Sequence, residues 1–167
     1  MRITGISIED CEVPEIMTQH DDTIISFAPT TSSDLDELVG IRIAAMRESL
    51  ERIGRFDPIR ARERFQSGFS PEHTRYILSH AQRVGFVVVK QDENHLLLDH
   101  LYIHPDHQGQ GIGSAVLTQL FCEADAVVLP VRVGALKQSE ANHFYQRHGF
   151  TKIDEGEWDI YYERQAQ

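Results

Sequence analysis

Glycines in a polar turn lie between an apolar segment and an amphipathic one, an arrangement that suits anion binding. Apart from Asp99 and His100, residues 98–103 are apolar, aromatic or β-branched, and they end at a His-Pro pair, which is typical of a buried strand. Three glycines follow within residues 109–113, and apolar residues then recur at helical spacing from Ile112 onward. The first turn of a helix presents free N–H groups and the positive end of the helix dipole. Because glycines let a ligand approach those groups closely, the sequence predicts a phosphate or pyrophosphate site here.

Two common phosphate-binding loops do not fit these residues. A P-loop ends in Gly-Lys-Ser/Thr, whereas Gly113 is followed by Ser114 and Ala115. The dinucleotide pattern G-x-G-x-x-G fails because Ser114 stands where the last glycine would be, counted from Gly109. What remains is Q-x-x-G-x-G, beginning at Gln108. The loop alone is also compatible with a plain strand-to-helix turn in which glycines allow close packing.

A second motif lies near the C-terminus, and the two motifs together are more specific than the glycine loop alone. Residues 141–150 have the form A-x-x-F-Y-x-x-x-G-F, and Ile103-His104-Pro105 precedes the glycine loop. Together these features resemble the GNAT superfamily of N-acetyltransferases, whose motifs are R/Q-x-x-G-x-G/A and N-x-x-A-x-x-F-Y-x-x-x-G-F. Gln138 departs from the family, which usually has a cofactor-bonding Asn at this position, although an amide remains. The resemblance covers most of the chain, from Thr23 to the C-terminus, and it leaves open whether residues 54–71 belong to it.

The resemblance implies that acetyl-CoA is the acetyl donor, and it implies which residues bind it. The end of the central strand would offer backbone groups to pantetheine and the acetyl carbonyl, and the glycine loop would bind the pyrophosphate. Tyr145 matches the residue that protonates the leaving thiolate; by spacing alone it can equally be a core aromatic on the same stripe as Phe144. The implied cofactor-binding residues are Leu101, Tyr102, Ile103, Gln108, Gly109, Gln110, Gly111, Ile112, Gly113, Ser114, Gln138 and Tyr145.

The group that removes the proton from the amine is not defined by the resemblance. Some family members carry a glutamate at positions that align here with the apolar Leu97 and Val133. Asp99 and His100 are the nearest titratable residues on the central strand. We interpret Asp99 as an ordinary polar residue and hypothesise that His100 is the catalytic base, with a relay of water molecules as the competing account.

The resemblance implies an N-acetyltransferase that acts by direct attack of a primary amine on the thioester. In the family, the first two helices, the loop between them and the final hairpin build the acceptor pocket. The corresponding segments here carry both acidic and basic side chains, and the acceptor is left open between a small molecule and a protein. The alternative, from another functional class, is a non-catalytic acyl-CoA-binding sensor with the same fold.

Periodicity and turn signals predict an α/β domain with a mixed sheet, in the order β, α, α, β, β, β, α, β, α, β, β. The GNAT layout that this order matches has a mixed, mostly antiparallel central sheet flanked by helices. Residues 1–22 are predicted to be an N-terminal extension or an extra edge strand, and residues 23–167 a single N-acetyltransferase domain. The predicted strands are residues 23–28, 74–79, 84–89, 96–103, 126–133, 150–153 and 158–162; the predicted helices are residues 35–53, 58–66, 112–121 and 141–148.

Composition and charge limit the remaining possibilities. The 167 residues carry a formal net charge of −10, which disfavours nucleic acid as a partner. Cys11 and Cys122 are the only cysteines and no metal-binding spacing surrounds them, so we expect no metal and a reducing, cytoplasmic location. We expect no membrane partner, because no apolar run is long enough for a membrane span. An amine substrate is the expected partner, and a homodimer is left open.

Overall fold

The computed structural model describes residues 23–167, so the segment 1–22 and its two interpretations lie outside the described residues. Within the described part, seven strands and four α-helices follow the predicted order. Their bounds are β1 Ile25–Pro29, α1 Leu35–Arg52, α2 Pro58–Gly68, β2 Thr74–Ser79, β3 Gln82–Gln91, β4 Leu96–Ile103, α3 Ile112–Ala126, β5 Val131–Leu136, α4 Ala141–Arg147, β6 Thr151–Glu155 and β7 Asp159–Arg164.

The strands form one sheet in the order β1-β2-β3-β4-β5-β7-β6. Neighbouring strands are antiparallel except β4 and β5, which are parallel because α3 connects them as a crossover. The predicted mixed, mostly antiparallel sheet is therefore confirmed. The predicted hairpins β3–β4 and β6–β7 are both present.

The predicted start of β5 is wrong. The apolar residues 126–129 were predicted to begin a strand, but α3 continues to Ala126 and β5 starts only at Val131. The helix ends through bonds that the Val127 and Leu129 amides donate to the Ala124 carbonyl, with Val128 at φ 55° between them. Val128 is 77% exposed, so its apolar side chain is not part of the hydrophobic core.

The helices cover both faces of the sheet, which gives three layers with two cores. On one face, α3 and α4 bury an aliphatic cluster against the inner strands, with Leu117 and Leu120 of α3 at its centre. On the other face, α1 and α2 pack Leu38 and Phe65 against Tyr76 and Phe86 of the sheet. Side chains from the α1–α2 layer and from the α3–α4 layer meet at the ends of β4 and β5.

A β-bulge in β4 sets which side chains face each layer. Val88 of β3 is opposite His100, but the next residue, Val89, is opposite Leu98, so Asp99 is the extra residue. After the bulge, Leu101 packs with the α3 side and Tyr102 with the α1–α2 side. The bulge thereby turns His100 toward α1 and α2.

Gly85 of β3 is required by a close approach of β4. A Cβ atom at this position would lie 2.2 Å from the Tyr102 carbonyl oxygen. We expect Gly85→Ala to lower the free energy of unfolding by about 1–3 kcal/mol, measured by urea denaturation. Gly40→Ala is the matched control: it is in α1 with open space around it, and should raise the stability by about 0.5–1 kcal/mol. Equal stability of Gly85→Ala and the wild type would contradict the close approach.

Candidate active site

A cleft of about 680 Å³ opens where β4 and β5 diverge. Only three residues of each strand are paired: Leu96–Leu98 of β4 lie opposite Val131–Val133 of β5. Beyond that point β4 pairs with β3 and β5 pairs with β7, so the facing backbone edges of β4 and β5 line the cleft. An extended ligand can hydrogen-bond to such an edge as an added strand would.

One end of the cleft is the glycine loop and the start of α3. Gly109 and Gly111 have φ of 75° and 76°, a conformation that other residues rarely adopt, and Gly111 is the N-cap of α3. The Gln108 side-chain amide donates to the Ile103 carbonyl over 2.9 Å, which ties the loop to the end of β4. The first turn of α3 therefore faces the cleft with its free N–H groups, and it can bind an anion.

Most of the predicted cofactor-binding residues line this cleft together. They are Leu101, Tyr102, Ile103, Gln108, Gly109, Gly111, Ile112, Gly113, Ser114 and Tyr145. Gln110 and Gln138 are not among the lining residues: the Gln110 carbonyl accepts a bond from Thr23, and the Gln138 carbonyl lies 3.4 Å from the Arg52 guanidinium. For these two residues a contact with the cofactor stays a prediction.

Tyr145 is both a core residue and a cleft residue. It is 6% exposed, and its ring packs at 5.3 Å from Phe144 and 5.4 Å from Phe150. It also lines the cleft, where its hydroxyl makes no hydrogen bond to another described residue. Burial, with a smaller contribution from Tyr102, raises the pKa of Tyr145 well above its usual range. The hydroxyl therefore keeps its proton at any working pH and can donate it.

His100 lies between the main cleft and a smaller cavity of about 220 Å³ beneath α2. Its ring centroid is 5.4 Å from that of Phe65, and its Nδ1 is 3.3 Å from the Tyr102 hydroxyl. Its Nε2 is 4.0 Å from the Asp99 carboxylate, which also pairs with Lys90 at 2.7 Å. Burial lowers the pKa of His100 to about 4, although the Asp99 charge acts in the opposite direction. The imidazole is thus neutral at pH 7, and one of its two ring nitrogens has a lone pair that can accept a proton.

The α1 side of the cleft belongs to the segments that the resemblance assigns to the acceptor pocket, namely the first two helices, the loop between them and the final hairpin. Met46, Ser49 and Arg52 line this wall, and the neighbouring loop reaches the final hairpin, where the Arg55 guanidinium lies 3.8 Å from the ring centre of Trp158. This contact joins two loops that are about 100 residues apart in the sequence, so only the folded chain brings them together.

Residues 23–167 lack two features that would have changed the interpretation of the cleft. In that range no helix is long and apolar enough to cross a membrane. The same residues include no group of three or more His, Cys, Asp or Glu side chains arranged to hold a metal ion. Cytoplasmic location stays a prediction.

Comparison with known proteins agrees with the geometry of the cleft. A family model described as the acetyltransferase (GNAT) domain matches residues 71–152, which include β4, the glycine loop, α3 and α4. No curated protein sequence matches the chain at a significant level. The family match therefore rests on the segment that builds the cleft.

Solved acetyltransferase structures share the fold. PaiA N-acetyltransferase from Thermoplasma acidophilum, determined in complex with coenzyme A, is 17% identical over 85% of this chain and 99% of its own, with a TM-score of 0.68. An acetyltransferase from Thermus thermophilus is 20% identical over 84% and 96%, with a TM-score of 0.64. The ribosomal-protein-S18-alanine N-acetyltransferase from Escherichia coli is 16% identical over 86% of this chain and 95% of its own, with a TM-score of 0.61. Similarity at these identities establishes the fold alone.

Proposed function

Because this chain belongs to the GNAT superfamily of acetyltransferases, whose acetyl donor is acetyl-CoA, we propose that it acetylates a primary amine of a small molecule or a protein. The observation that supports this most directly is the content of one cleft. An anion-binding helix turn, an open strand edge and a protonated tyrosine line it together. These are the groups that a thioester donor with a pyrophosphate requires.

The donor would lie along the cleft with its pyrophosphate on the first turn of α3. Its pantetheine would follow the open edge of β4, where those backbone N–H groups of residues 101–103 that do not point toward β3 can stabilise the charge that develops on the acetyl oxygen. Attack by a neutral amine forms the amide bond and breaks the C–S bond. We propose that Tyr145 then gives its hydroxyl proton to the sulfur as the thiolate leaves.

The amine must lose a proton before or during attack, because a free alkyl amine is mostly protonated at neutral pH. We propose that His100 accepts this proton, directly or through the Tyr102 hydroxyl or a water molecule. The low pKa means that the proton stays only briefly on His100, and the neighbouring Asp99 carboxylate stabilises the transient imidazolium. A relay of water molecules without His100 is the competing account.

The pKa of His100 gives this proposal a pH signature. In the wild type, the low-pH limb of kcat/KM should lie near pH 4 and not near the ordinary histidine value of ~6.5, because burial disfavours the imidazolium. A histidine with a lowered native pKa takes up a proton more readily when unfolded. The free energy of unfolding should therefore fall as pH drops from the ordinary histidine value toward 4.

His100→Gln should remove both effects. The variant should lose plateau activity and the acidic limb, and its free energy of unfolding should depend less on pH over the same interval, measured by urea denaturation. His143→Gln, at an exposed position of α4, is the matched control and should behave as the wild type. If His100→Gln keeps the wild-type limb and plateau, the proton leaves through water alone.

Calorimetry with acetyl-CoA, followed by thiol release across a panel of amines, tests the overall proposal. Binding of acetyl-CoA with amine-dependent thiol release is the expected result. Tight binding without release for any small amine, peptide N-terminus or lysine peptide would favour the acyl-CoA-binding sensor. Absence of acetyl-CoA binding would contradict both functions.

A further inference from the structure

His148 joins the end of α4 to the anion-binding end of the cleft. Its Nε2 lies 2.9 Å from the Ser114 hydroxyl, across 34 positions of sequence, and its Nδ1 lies 2.7 Å from the Phe144 carbonyl oxygen. Its ring also packs 4.5 Å from that of Phe144, which in turn lies directly against Gly113. Two hydrogen bonds and a ring contact therefore hold His148 against the first turn of α3.

The two partners determine where the protons lie. A carbonyl oxygen only accepts, so Nδ1 of His148 must carry a hydrogen and donate it to Phe144. In the neutral ring Nε2 then has the lone pair, and the Ser114 hydroxyl must donate to it. Because its proton is turned toward His148, Ser114 presents only oxygen lone pairs to the cleft, and these repel a phosphate oxygen.

Protonation of His148 would reverse the second bond. With a hydrogen on Nε2, the ring donates to the Ser114 oxygen, and the hydroxyl proton becomes free to point into the cleft. The Ser114 hydroxyl could then donate to a phosphate oxygen, and the new positive charge would lie one side chain behind it. Ser114 lines the cleft, so this change occurs in the wall that an anion would touch.

Within the described residues, the charged groups on the elements around His148 offer its ring no acidic partner. On α4 the adjacent charge is Arg147, which lines the cleft and opposes a second positive charge. On α3 residues 112–120 carry no charge, and on β5 the single charge, Arg132, is paired with Glu163 at 2.6 Å. Among residues 23–167, no carboxylate oxygen lies within 4.0 Å of either ring nitrogen of His148. A bound pyrophosphate would supply the negative charge that this environment lacks.

We propose that His148 is a positioning residue for the acetyl donor, and that donor binding draws a proton onto it. This inference rests on the proposed function, because the anion is the pyrophosphate of coenzyme A. The proton comes from solvent, Nε2 receives it, and the Ser114 hydroxyl changes from a donor toward His148 into a donor toward the pyrophosphate. Histidine is suited to this role because it gains and loses a proton readily near neutral pH.

Isothermal titration with coenzyme A at pH 7, repeated in Pipes, Hepes and Tris, measures the number of protons exchanged. The binding enthalpy varies with the ionisation enthalpy of the buffer, and the slope gives the proton uptake. We expect a positive fraction of a proton for the wild type. Dephospho-CoA, which retains the pyrophosphate but lacks the 3′-phosphate, should give the same uptake.

His148→Gln should bind coenzyme A without proton uptake, because the amide can still bond to Ser114 but does not ionise. His143→Gln on the same helix and His107→Gln in the cleft wall are controls that should retain the uptake. If His148→Gln does not fold, Ser114→Ala replaces it: the protonated ring then loses its acceptor, and the uptake should fall.

The outcomes separate this inference from the proposed function. Coenzyme A binding by the wild type without proton uptake, or uptake that persists in folded His148→Gln, overturns the role of His148 alone. Uptake that disappears in His107→Gln, or with dephospho-CoA, also overturns it, because the proton or the anion would then be a different one. Failure of the wild type to bind coenzyme A at all overturns the proposed function.

Discussion

Ser114→Glu should weaken acetyl-CoA binding by about 100-fold or more while the protein remains folded. Ser114 is the third residue of α3 and lines the cleft, so a carboxylate there would occupy the anion-binding turn. Like charges placed together in a binding site cost several kcal/mol, and a factor of 100 corresponds to about 2.7 kcal/mol. A glutamate in the first turn also interacts favourably with the helix dipole, which preserves the fold. Calorimetry with acetyl-CoA measures the change.

Thr118→Glu is the matched control for this experiment. Thr118 is exposed one helical turn after Ser114, and its hydroxyl donates to the Ser114 carbonyl. The control adds the same charge to the same helix outside the cleft, so its affinity for acetyl-CoA should equal that of the wild type. Substitution of the glycines is a less selective test: a Cβ on Gly113 would lie 3.1 Å from the Phe144 ring and disturb the packing itself. Wild-type affinity in folded Ser114→Glu would place the pyrophosphate elsewhere.

Two strands, Thr74–Ser79 and Leu96–Ile103, have the predicted bounds. Leu96–Ile103 lies between the polar turn of residues 91–94 and His104-Pro105, which the sequence indicates. Thr74–Ser79 instead ends at His80 and Ala81, which form a turn with positive φ that residues of these types rarely adopt. The boundary between α3 and β5 was misplaced because Ala126 and the next three residues are apolar, and apolar residues are compatible with either a helix or a strand. Residues 127–130 separate the helix from the strand, and the left-handed conformation of Val128 among them is not encoded by local composition.

The cleft was predictable where neighbouring residues form it, and less so where distant elements meet. The glycine loop combines spacing with the positive φ of Gly109 and Gly111, both of which a sequence can indicate. The burial of His100 depends on Phe65 of α2, 35 positions earlier, so its lowered pKa could not be anticipated from β4 alone. The bond between Ser114 and His148 likewise needs two helices to pack together.

Tyr145→Phe should leave acetyl-CoA affinity unchanged and lower kcat by about 10- to 1,000-fold, the range for loss of a general acid. The variant keeps the ring that packs between Phe144 and Phe150, and the hydroxyl that it removes has no hydrogen bond to another described residue. The free energy of unfolding should therefore change little. Thiol release with the best acceptor of the amine panel measures kcat, and calorimetry measures the affinity.

Tyr162→Phe is the matched control for Tyr145→Phe, and it should change stability but not turnover. Tyr162 is also a buried tyrosine, but it does not line the cleft, and its hydroxyl donates to the Asn142 side chain over 2.9 Å. Loss of that bond should lower the stability by about 0.5–1.5 kcal/mol without lowering kcat. A catalytic hydroxyl thus reduces turnover at constant stability, whereas a structural one reduces stability at constant turnover. Unchanged turnover in Tyr145→Phe would make Tyr145 a core aromatic and assign protonation of the thiolate to solvent.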